Sequence, residues 1–120
     1  MGIVAIRGAI TVENNTISDI SAATVELYKE IILRNGIKTD AIINIFFTLT
    51  KDLNAVYPAK ALREYCNITD VPLLCMQEAD ICGSLEKCIR ILLQVQTDLP
   101  KSEIKHVYLK GAEVLRPDLK

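Results

Sequence analysis

The clearest alternation of apolar and polar side chains lies near the end of the chain. Aliphatic residues there occupy every second position, which predicts a strand over 86–97 with one face in a core: Ile89, Ile91, Leu93 and Val95. Arg90 falls on the opposite face, between Cys88 and Leu92. A cation among uncharged neighbours suggests a partly dry site for an anion, because guanidinium stays charged and grips a carboxylate with two hydrogen bonds. Taken alone, however, Arg90 is explained more simply as a side chain that reaches into solvent.

Similar patterns occur at both ends of the chain. Arg7 is the only charged residue in the apolar strand predicted over 2–12. It shares its face with Ala5 and Ala9, whose small side chains leave room for a ligand. The hydroxyl of Tyr108 is predicted to project away from the face of its two aliphatic neighbours. Two arginines and a phenol would converge if these strands share one sheet; the alternative is three unrelated surface side chains.

One long segment has helical spacing instead. Apolar residues follow one another at intervals of three or four: Ile20, Ala23, Leu27 and Ile31. Four residues that favour the N-cap precede this stripe, namely Asn14, Asn15, Thr16 and Ser18. Asn35-Gly36 follows it and is typical of a helix C-terminus. The pattern predicts a helix over 17–35 that covers the sheet.

The remaining elements are shorter. Continuous apolar residues over 41–50 predict a strand buried on both faces, and Pro58 begins a helix through Glu64. Further predictions are a strand over 73–77, a turn over 80–84, a helical turn over 100–103 and a final strand over 105–115. Because neither a repeat nor a linker interrupts the pattern, residues 1–120 are predicted to form a single α/β domain.

Composition excludes several classes of function. Half of the 120 residues are hydrophobic, which suffices for one core and suggests that some apolar surface is buried between subunits. The net charge of -1, with scattered basic residues, argues against nucleic acid as a partner. The chain shows neither a secretory signal nor an apolar run long enough for a membrane span, so a cytoplasmic protein without membrane contact is expected.

Few residues offer covalent, acid–base or metal chemistry. The four cysteines are Cys66, Cys75, Cys82 and Cys88. They lack CxxC spacing and histidine partners, so no metal site is expected. His106 is the only histidine and is interpreted as structural. Glu78 is a lone acid, and no glycine-rich phosphate loop is present. Fixed positive charge, a hydroxyl and one carboxylate suit a reaction accelerated by orientation and electrostatics alone.

Several segments, taken in order, carry a resemblance over nearly the full length of the chain. They are Ile6-Arg7-Gly8-Ala9, Tyr57-Pro58-Ala59-Lys60-Ala61, Cys75-Met76-Gln77-Glu78, Lys87-Cys88-Ile89-Arg90, His106-Val107-Tyr108-Leu109 and Leu115-Arg116-Pro117-Asp118-Leu119. Each segment is weak alone, but together the set is highly specific. It resembles the monofunctional, trimeric α/β class of chorismate mutase.

The resemblance implies a mixed five-stranded sheet packed on one long helix, an α/β (α+β) fold. It implies a homotrimer that forms a pseudo-α/β barrel with active sites at the subunit interfaces. The implied reaction is the pericyclic rearrangement of chorismate to prephenate, which leads toward phenylalanine and tyrosine and uses no cofactor and no metal.

The resemblance also assigns roles to residues of this chain. Arg90 would donate to the ether oxygen and to a carboxylate, and Arg7 with Tyr108 would hold a carboxylate. Glu78 and Cys75 would receive the ring hydroxyl. The further substrate-binding residues it implies are Tyr57, Lys60, Arg63, Leu74, Met76, Gln77 and Arg116. Arg7, Arg90 and Tyr108 would come from one subunit and residues 74–78 from its neighbour.

Two other classes of function remain open at this point. A trimeric imine-hydrolysing enzyme resembles this architecture and also uses an interface arginine, but it needs a positioned water. A sensor or carrier that binds aromatic dicarboxylates needs no chemistry at all.

Overall fold

The structure is a computed structural model that describes residues 2–117. This part of the chain contains strands β1 (Gly2–Thr11), β2 (Ile42–Leu49), β3 (Leu73–Gln77), β4 (Cys88–Thr97) and β5 (Val107–Leu109), with helices α1 (Ile17–Asn35) and α2 (Pro58–Tyr65). Short 3-10 helices span Thr39–Ala41, Lys101–Glu103 and Lys110–Leu115. The ends of the predicted domain, Met1 and 118–120, lie outside the described residues, and so do Asp118 and Leu119 of the last segment of the resemblance.

The strands form one mixed sheet in the order β3-β2-β4-β1-β5. β4 lies between β1 and β2 and is antiparallel to both, while β5 runs parallel to β1 and β3 runs parallel to β2. α1 packs on one face of the sheet, where the buried side chains of β1 and β4 meet those of the helix. The mixed five-stranded sheet and its long helix confirm the predicted fold class.

The caps place both ends of α1 where the sequence predicts them. The Thr16 hydroxyl accepts a hydrogen bond from the backbone amide of Asp19 at 3.1 Å, which satisfies one free donor of the first turn. Gly36 ends the helix at φ 61°, and its amide donates to the carbonyl of Ile32. Glycine adopts this left-handed conformation without the strain that a Cβ introduces.

The alternation along β4 is confirmed. Four aliphatic side chains on one face are at most 3% exposed, namely Ile89, Ile91, Leu93 and Val95. Arg90 lies half-buried on the other face. The prediction that the strand over 41–50 is buried on both faces is wrong for this chain. Ile45 and Phe47 of β2 are fully buried, but Phe46 and Thr48 are only half-buried. α1 covers a single face of the sheet, and we call the other one the open face.

The predicted final strand over 105–115 is also wrong. β5 has only three residues and stops at Lys110, whose φ of 54° is incompatible with a strand. The following 3-10 helix is held against β1 by a hydrogen bond of 2.9 Å from the Gly111 amide to the Thr11 hydroxyl. This turn brings Ala112 and Leu115 over the open face.

Candidate active site

The strand register aligns several of the predicted site residues on the open face. Thr48, Arg90, Ala9 and Tyr108 are successive partners across β2, β4, β1 and β5. Side chains of directly paired residues point to the same face of a sheet. Arg90 and Tyr108 therefore lie on the same face, with only the methyl group of Ala9 between them.

Glu78 joins this row from the edge of the sheet. It follows β3, where its amide donates to the carbonyl of Leu49 at 2.7 Å. Its carboxylate accepts a hydrogen bond from the Thr48 hydroxyl at 2.7 Å, and the same oxygen lies 3.1 Å from Nε of Arg90. Arg90 and Glu78 are about one third and one quarter exposed, so the pair faces solvent on one side.

The Arg90 Nε–H does not point at this carboxylate. The distance of 3.1 Å is that of an ion pair, yet Nε is inaccessible to solvent and lacks a partner with hydrogen-bond geometry among the described residues. A buried donor without an acceptor is unfavourable, typically by about 1–3 kcal/mol. Glu78 therefore holds the guanidinium by charge, while about one third of the Arg90 side chain remains exposed.

A small apolar cluster forms one wall of this site. It consists of Ala9, Cys88, Tyr108 and Ala112, with Leu85 and Leu115 packed around it. The space beside Ala9 is thus filled by the protein, which corrects the expectation that this alanine leaves room for a ligand. Tyr108 lies opposite the buried Val107, as predicted, but is only 9% exposed.

Burial in this wall raises the pKa of Cys88 to about 11. The charge of Arg90 opposes the rise, while the charge of Glu78 adds to it. The thiol is therefore protonated at neutral pH, so Cys88 contributes packing and no negative charge beside Arg90.

A second cationic group lies further along the open face. Arg7 is exposed, and within residues 2–117 its guanidinium makes no ion pair. Its backbone amide donates to Nδ1 of His106 at 3.0 Å. The pKa of His106 is lowered, first by burial and then by the charges of Arg116 and Arg7, so both arginines lie near this ring.

Five other predicted residues line a separate cleft of about 500 Å³ beside α2. Tyr57, Lys60, Cys75, Met76 and Gln77 contribute to its surface, and Tyr57 is 67% exposed. Burial raises the pKa of Cys75, while a backbone hydrogen bond from Ala59 and the charge of Arg63 oppose the rise. Arg63 therefore lies close to this thiol.

A family model described as chorismate mutase type I matches residues 3–119 of the chain. The chain belongs to this family. It is thus an isomerase, which confirms the predicted class of enzyme.

Two curated chorismate mutases are similar along nearly their whole length. Chorismate mutase AroH of Bacillus subtilis (strain 168) is 48% identical over 114 residues, which are 95% of this chain and 90% of that protein. Chorismate mutase AroH of Thermus thermophilus is 44% identical over 115 residues, 95% of this chain and 93% of that protein. The solved chorismate mutase from Clostridium thermocellum superposes with a TM-score of 0.90 at 53% identity and covers 92% of this chain and 98% of that one.

Within one chorismate mutase chain, the predicted site residues fall into two groups. We call Arg7, Glu78, Arg90, Tyr108 and Arg116 the arginine half-site, and Tyr57, Lys60, Arg63 and Cys75 the cleft half-site. The arginine half-site lies on the open face. Cys75 points to the opposite face, where it packs against the main core and Ala59. Leu74 belongs to neither group and is 53% exposed on the open face.

This division corrects the expected assignment of residues 74–78 to the neighbouring subunit. Glu78 contacts Arg90 of its own chain, and Cys75 alternates to the other side of β3. The segment is therefore split between the half-sites.

Thr48 also lies in this group of side chains, although no sequence pattern singles it out. Its hydroxyl fixes the carboxylate of Glu78. A threonine in an apolar strand gives no signal of such a role, because the contact requires β3, β2 and β4 to be neighbours.

Two classes of feature are absent from the described part of the chain. Residues 2–117 contain no group of three or more His, Cys, Asp or Glu side chains that could hold a metal ion. Neither of their α-helices is both long and apolar enough to cross a bilayer.

Proposed function

We propose that the chain converts chorismate to prephenate in a site formed by the arginine half-site of one subunit and the cleft half-site of the next. The observation that carries the proposal is the guanidinium of Arg90, which Glu78 holds at 3.1 Å on the open face and which belongs to a side chain about one third exposed. An acceptor that becomes negative during a reaction can bind to the accessible part of this cation.

The rearrangement breaks an ether C–O bond and forms a C–C bond in one step, without a proton transfer. Partial negative charge develops on the ether oxygen in the transition state. Arg90 donates to that oxygen, and a donor of fixed position strengthens this contact more in the transition state than in the ground state. Glu78, oriented by Thr48, faces the positive character that develops on the ring and accepts from the ring hydroxyl.

The remaining residues bind and enclose the substrate. Arg7 and Tyr108 hold a carboxylate, while Arg116 closes the site near the His106 ring. In the cleft half-site, Lys60 and Arg63 supply positive potential for a dianion, and Tyr57 forms a wall. Cys75 accepts from the ring hydroxyl, with Leu74, Met76 and Gln77 along the same edge strand.

The exposed apolar side chains of the open face support a homotrimer. Ile3, Leu74 and Met76 are 58%, 53% and 42% exposed, and Phe46 and Leu92 are half-buried. Such a surface on one sheet face is typical of a subunit interface. A cyclic trimer would cover it and join each arginine half-site to a cleft half-site, closing the sheets into a barrel.

The four cysteines support a reducing compartment, since all of them are free. We therefore place the enzyme in the cytoplasm.

The reaction is tested by adding purified protein to chorismate and following the loss of its absorbance together with the appearance of prephenate. Catalytic consumption supports the proposal. Saturable binding without consumption would identify a dicarboxylate-binding protein instead and would refute it.

The shared site is tested by mixing inactive variants through unfolding and refolding. Arg90→Ala disables the arginine half-site, and Arg63→Glu places a negative charge beside Cys75 in the cleft half-site. Random equal mixing makes about three quarters of trimers mixed, and each of these has one interface with two intact halves. About a quarter of wild-type activity is therefore expected to return.

The matched control mixes Arg90→Ala with Glu78→Ala. Both residues lie in the arginine half-site of the same chain, so this mixture should gain no activity. If the second mixture recovers activity and the first does not, the two half-sites are assigned wrongly.

A further inference from the structure

His106 makes an unusual bond at the point where the β1–β5 ladder ends. The ladder pairs Gly8 with Val107 and continues to Ile10 and Leu109. One residue before it, the Arg7 amide donates to the His106 ring at 3.0 Å rather than to the backbone of the neighbouring strand. The ring thus extends the pairing to the residue that carries the Arg7 guanidinium.

Close approach of the two strands makes this bond possible. A Cβ on Gly8 would lie 2.8 Å from the carbonyl oxygen of Val107, so only glycine lets β5 come this near. On the other side, Asn35 at the end of α1 accepts from the Lys105 amide at 2.8 Å and donates to the Lys105 carbonyl at 2.9 Å. The backbone next to His106 is therefore fixed from α1, while the ring itself contacts β1.

The hydrogen bond determines the protonation state of the ring. Because Nδ1 accepts from the Arg7 amide, the ring must be neutral with its proton on Nε2. A protonated ring donates at both nitrogens, so it loses this bond and turns a donor toward the amide.

We propose that neutral His106 is a positioning residue that holds the backbone of Arg7, and through it the guanidinium, in place for the carboxylate of the substrate. The proposal rests on the function proposed above, since it concerns the arginine half-site of that reaction. It predicts that protonation of His106 weakens substrate binding.

The surroundings of the ring keep it neutral. Burial is the largest cause that lowers the pKa of His106, followed by the charges of Arg116, near the end of the described chain, and Arg7 on β1. Lys101 lines a cavity of about 240 Å³ together with His106, and Lys105 precedes it in the chain. The two arginines disfavour a further positive charge on the ring.

The test compares two substitutions that differ in one acceptor. His106→Asn retains an oxygen at the place of Nδ1, whereas His106→Leu has a similar volume and no acceptor. We expect His106→Leu to lose about tenfold or more in kcat/KM, mainly through KM, because Arg7 binds a carboxylate. His106→Asn should remain within about threefold of wild type, since its oxygen can accept from the same amide.

The pH profile separates positioning from a purely structural role. In the wild type, kcat/KM should fall at acid pH, below the ordinary histidine pKa of 6.5, as His106 becomes protonated, and in His106→Asn this fall should disappear. Equal kcat/KM per folded subunit in wild type and His106→Leu, or the same acid profile in wild type and His106→Asn, would refute the proposal. A wild type that does not consume chorismate would instead refute the proposed function.

A measurement without substitutions covers the case in which His106→Leu does not fold. Since the chain has a single histidine, labelling with ¹⁵N-histidine yields the spectrum of this ring alone. We expect the Nε2–H tautomer at neutral pH and a pKa below 6.5. A proton on Nδ1, or titration at or above 6.5, would contradict the bond on which the proposal stands.

Discussion

Replacing Arg90 with lysine separates charge from direction at the centre of the site. Lysine keeps a positive charge within reach of Glu78 but loses the planar fork. In the wild type, Nε of Arg90 lies 3.1 Å from Glu78 while about one third of the side chain stays accessible to a substrate. A single ammonium cannot occupy both places.

The structure sets the expected magnitudes for activity and for stability. Loss of one oriented donor to a developing anion costs about 3 kcal/mol of transition-state stabilisation, or about 10²-fold in kcat/KM. The Arg90–Glu78 pair is about one third and one quarter exposed, so its contribution to folding is below about 1 kcal/mol. Arg90→Lys should therefore lose activity with almost unchanged stability.

The assay is the initial rate of chorismate loss, measured beside urea unfolding and the molecular mass of the assembly. Arg34→Lys is the matched control, because Arg34 also pairs with a carboxylate, Glu30 at 2.9 Å, but lies on α1 away from the site. Activity of Arg90→Lys within about threefold of wild type, with fold and assembly intact, would show that Arg90 acts as a point charge or lies outside the reaction.

The other predictions concern pH, metal ions and the contact between β1 and β5. Because the proposed step transfers no proton and the arginines remain charged, kcat should be nearly constant from about pH 6.5 to 9 and unaffected by EDTA. A bell-shaped pH profile, or a loss of activity in EDTA that added metal restores, would contradict this. The pKa of His106 is lowered from 6.5 in the folded chain, so its contribution to the free energy of unfolding is complete above pH 6.5 and decreases at lower pH. His106→Asn should remove this pH dependence of the free energy of unfolding, as measured by urea titration. Gly8→Ala places a Cβ 2.8 Å from the Val107 carbonyl oxygen and 3.0 Å from Ile31, and should lower the free energy of unfolding by about 1–3 kcal/mol. Gly2→Ala, whose nearest neighbour is 3.9 Å away, should leave it within about 0.5 kcal/mol, and equal effects of the two changes would show that β5 is free to move.

Local patterns were sufficient to predict the elements whose ends are determined by nearby residues. Both bounds of α1 follow from Thr16 and Gly36, and the face of Arg90 follows from the period of two along β4. The final strand was predicted too long because its end depends on Lys110, which adopts φ 54° while Gly111 bonds to Thr11, 100 positions away in the chain. No local sequence pattern predicts a contact between residues so far apart in the chain.

The same distinction applies to the site. The alternation of side chains identified the open-face positions of Arg7 and Arg90, because a strand determines them within a few residues. The contact of Glu78 with Arg90 depends on the strand order β3-β2-β4. In this order β2 and β4 are neighbours in the sheet although β3 lies between them in the chain, so no local pattern predicts their pairing. The resemblance supplied the candidate residues, and the register of the sheet divides them into two half-sites.

The Arg90–Glu78 pair links the stability of the fold to the reaction. Nε of Arg90 is inaccessible to solvent and lies 3.1 Å from the Glu78 carboxylate without hydrogen-bond geometry, and the apolar face of the same strand offsets the cost of this burial, since Ile89 and Leu93 are fully buried beneath. The carboxylate is itself oriented by Thr48, so the guanidinium is held in place by charge. The exposed third of the Arg90 side chain is therefore fixed before any substrate arrives, and an anionic oxygen that contacts it is stabilised with little reorganisation of the protein. A second carboxylate placed against this exposed part would make the chain more stable and the enzyme slower.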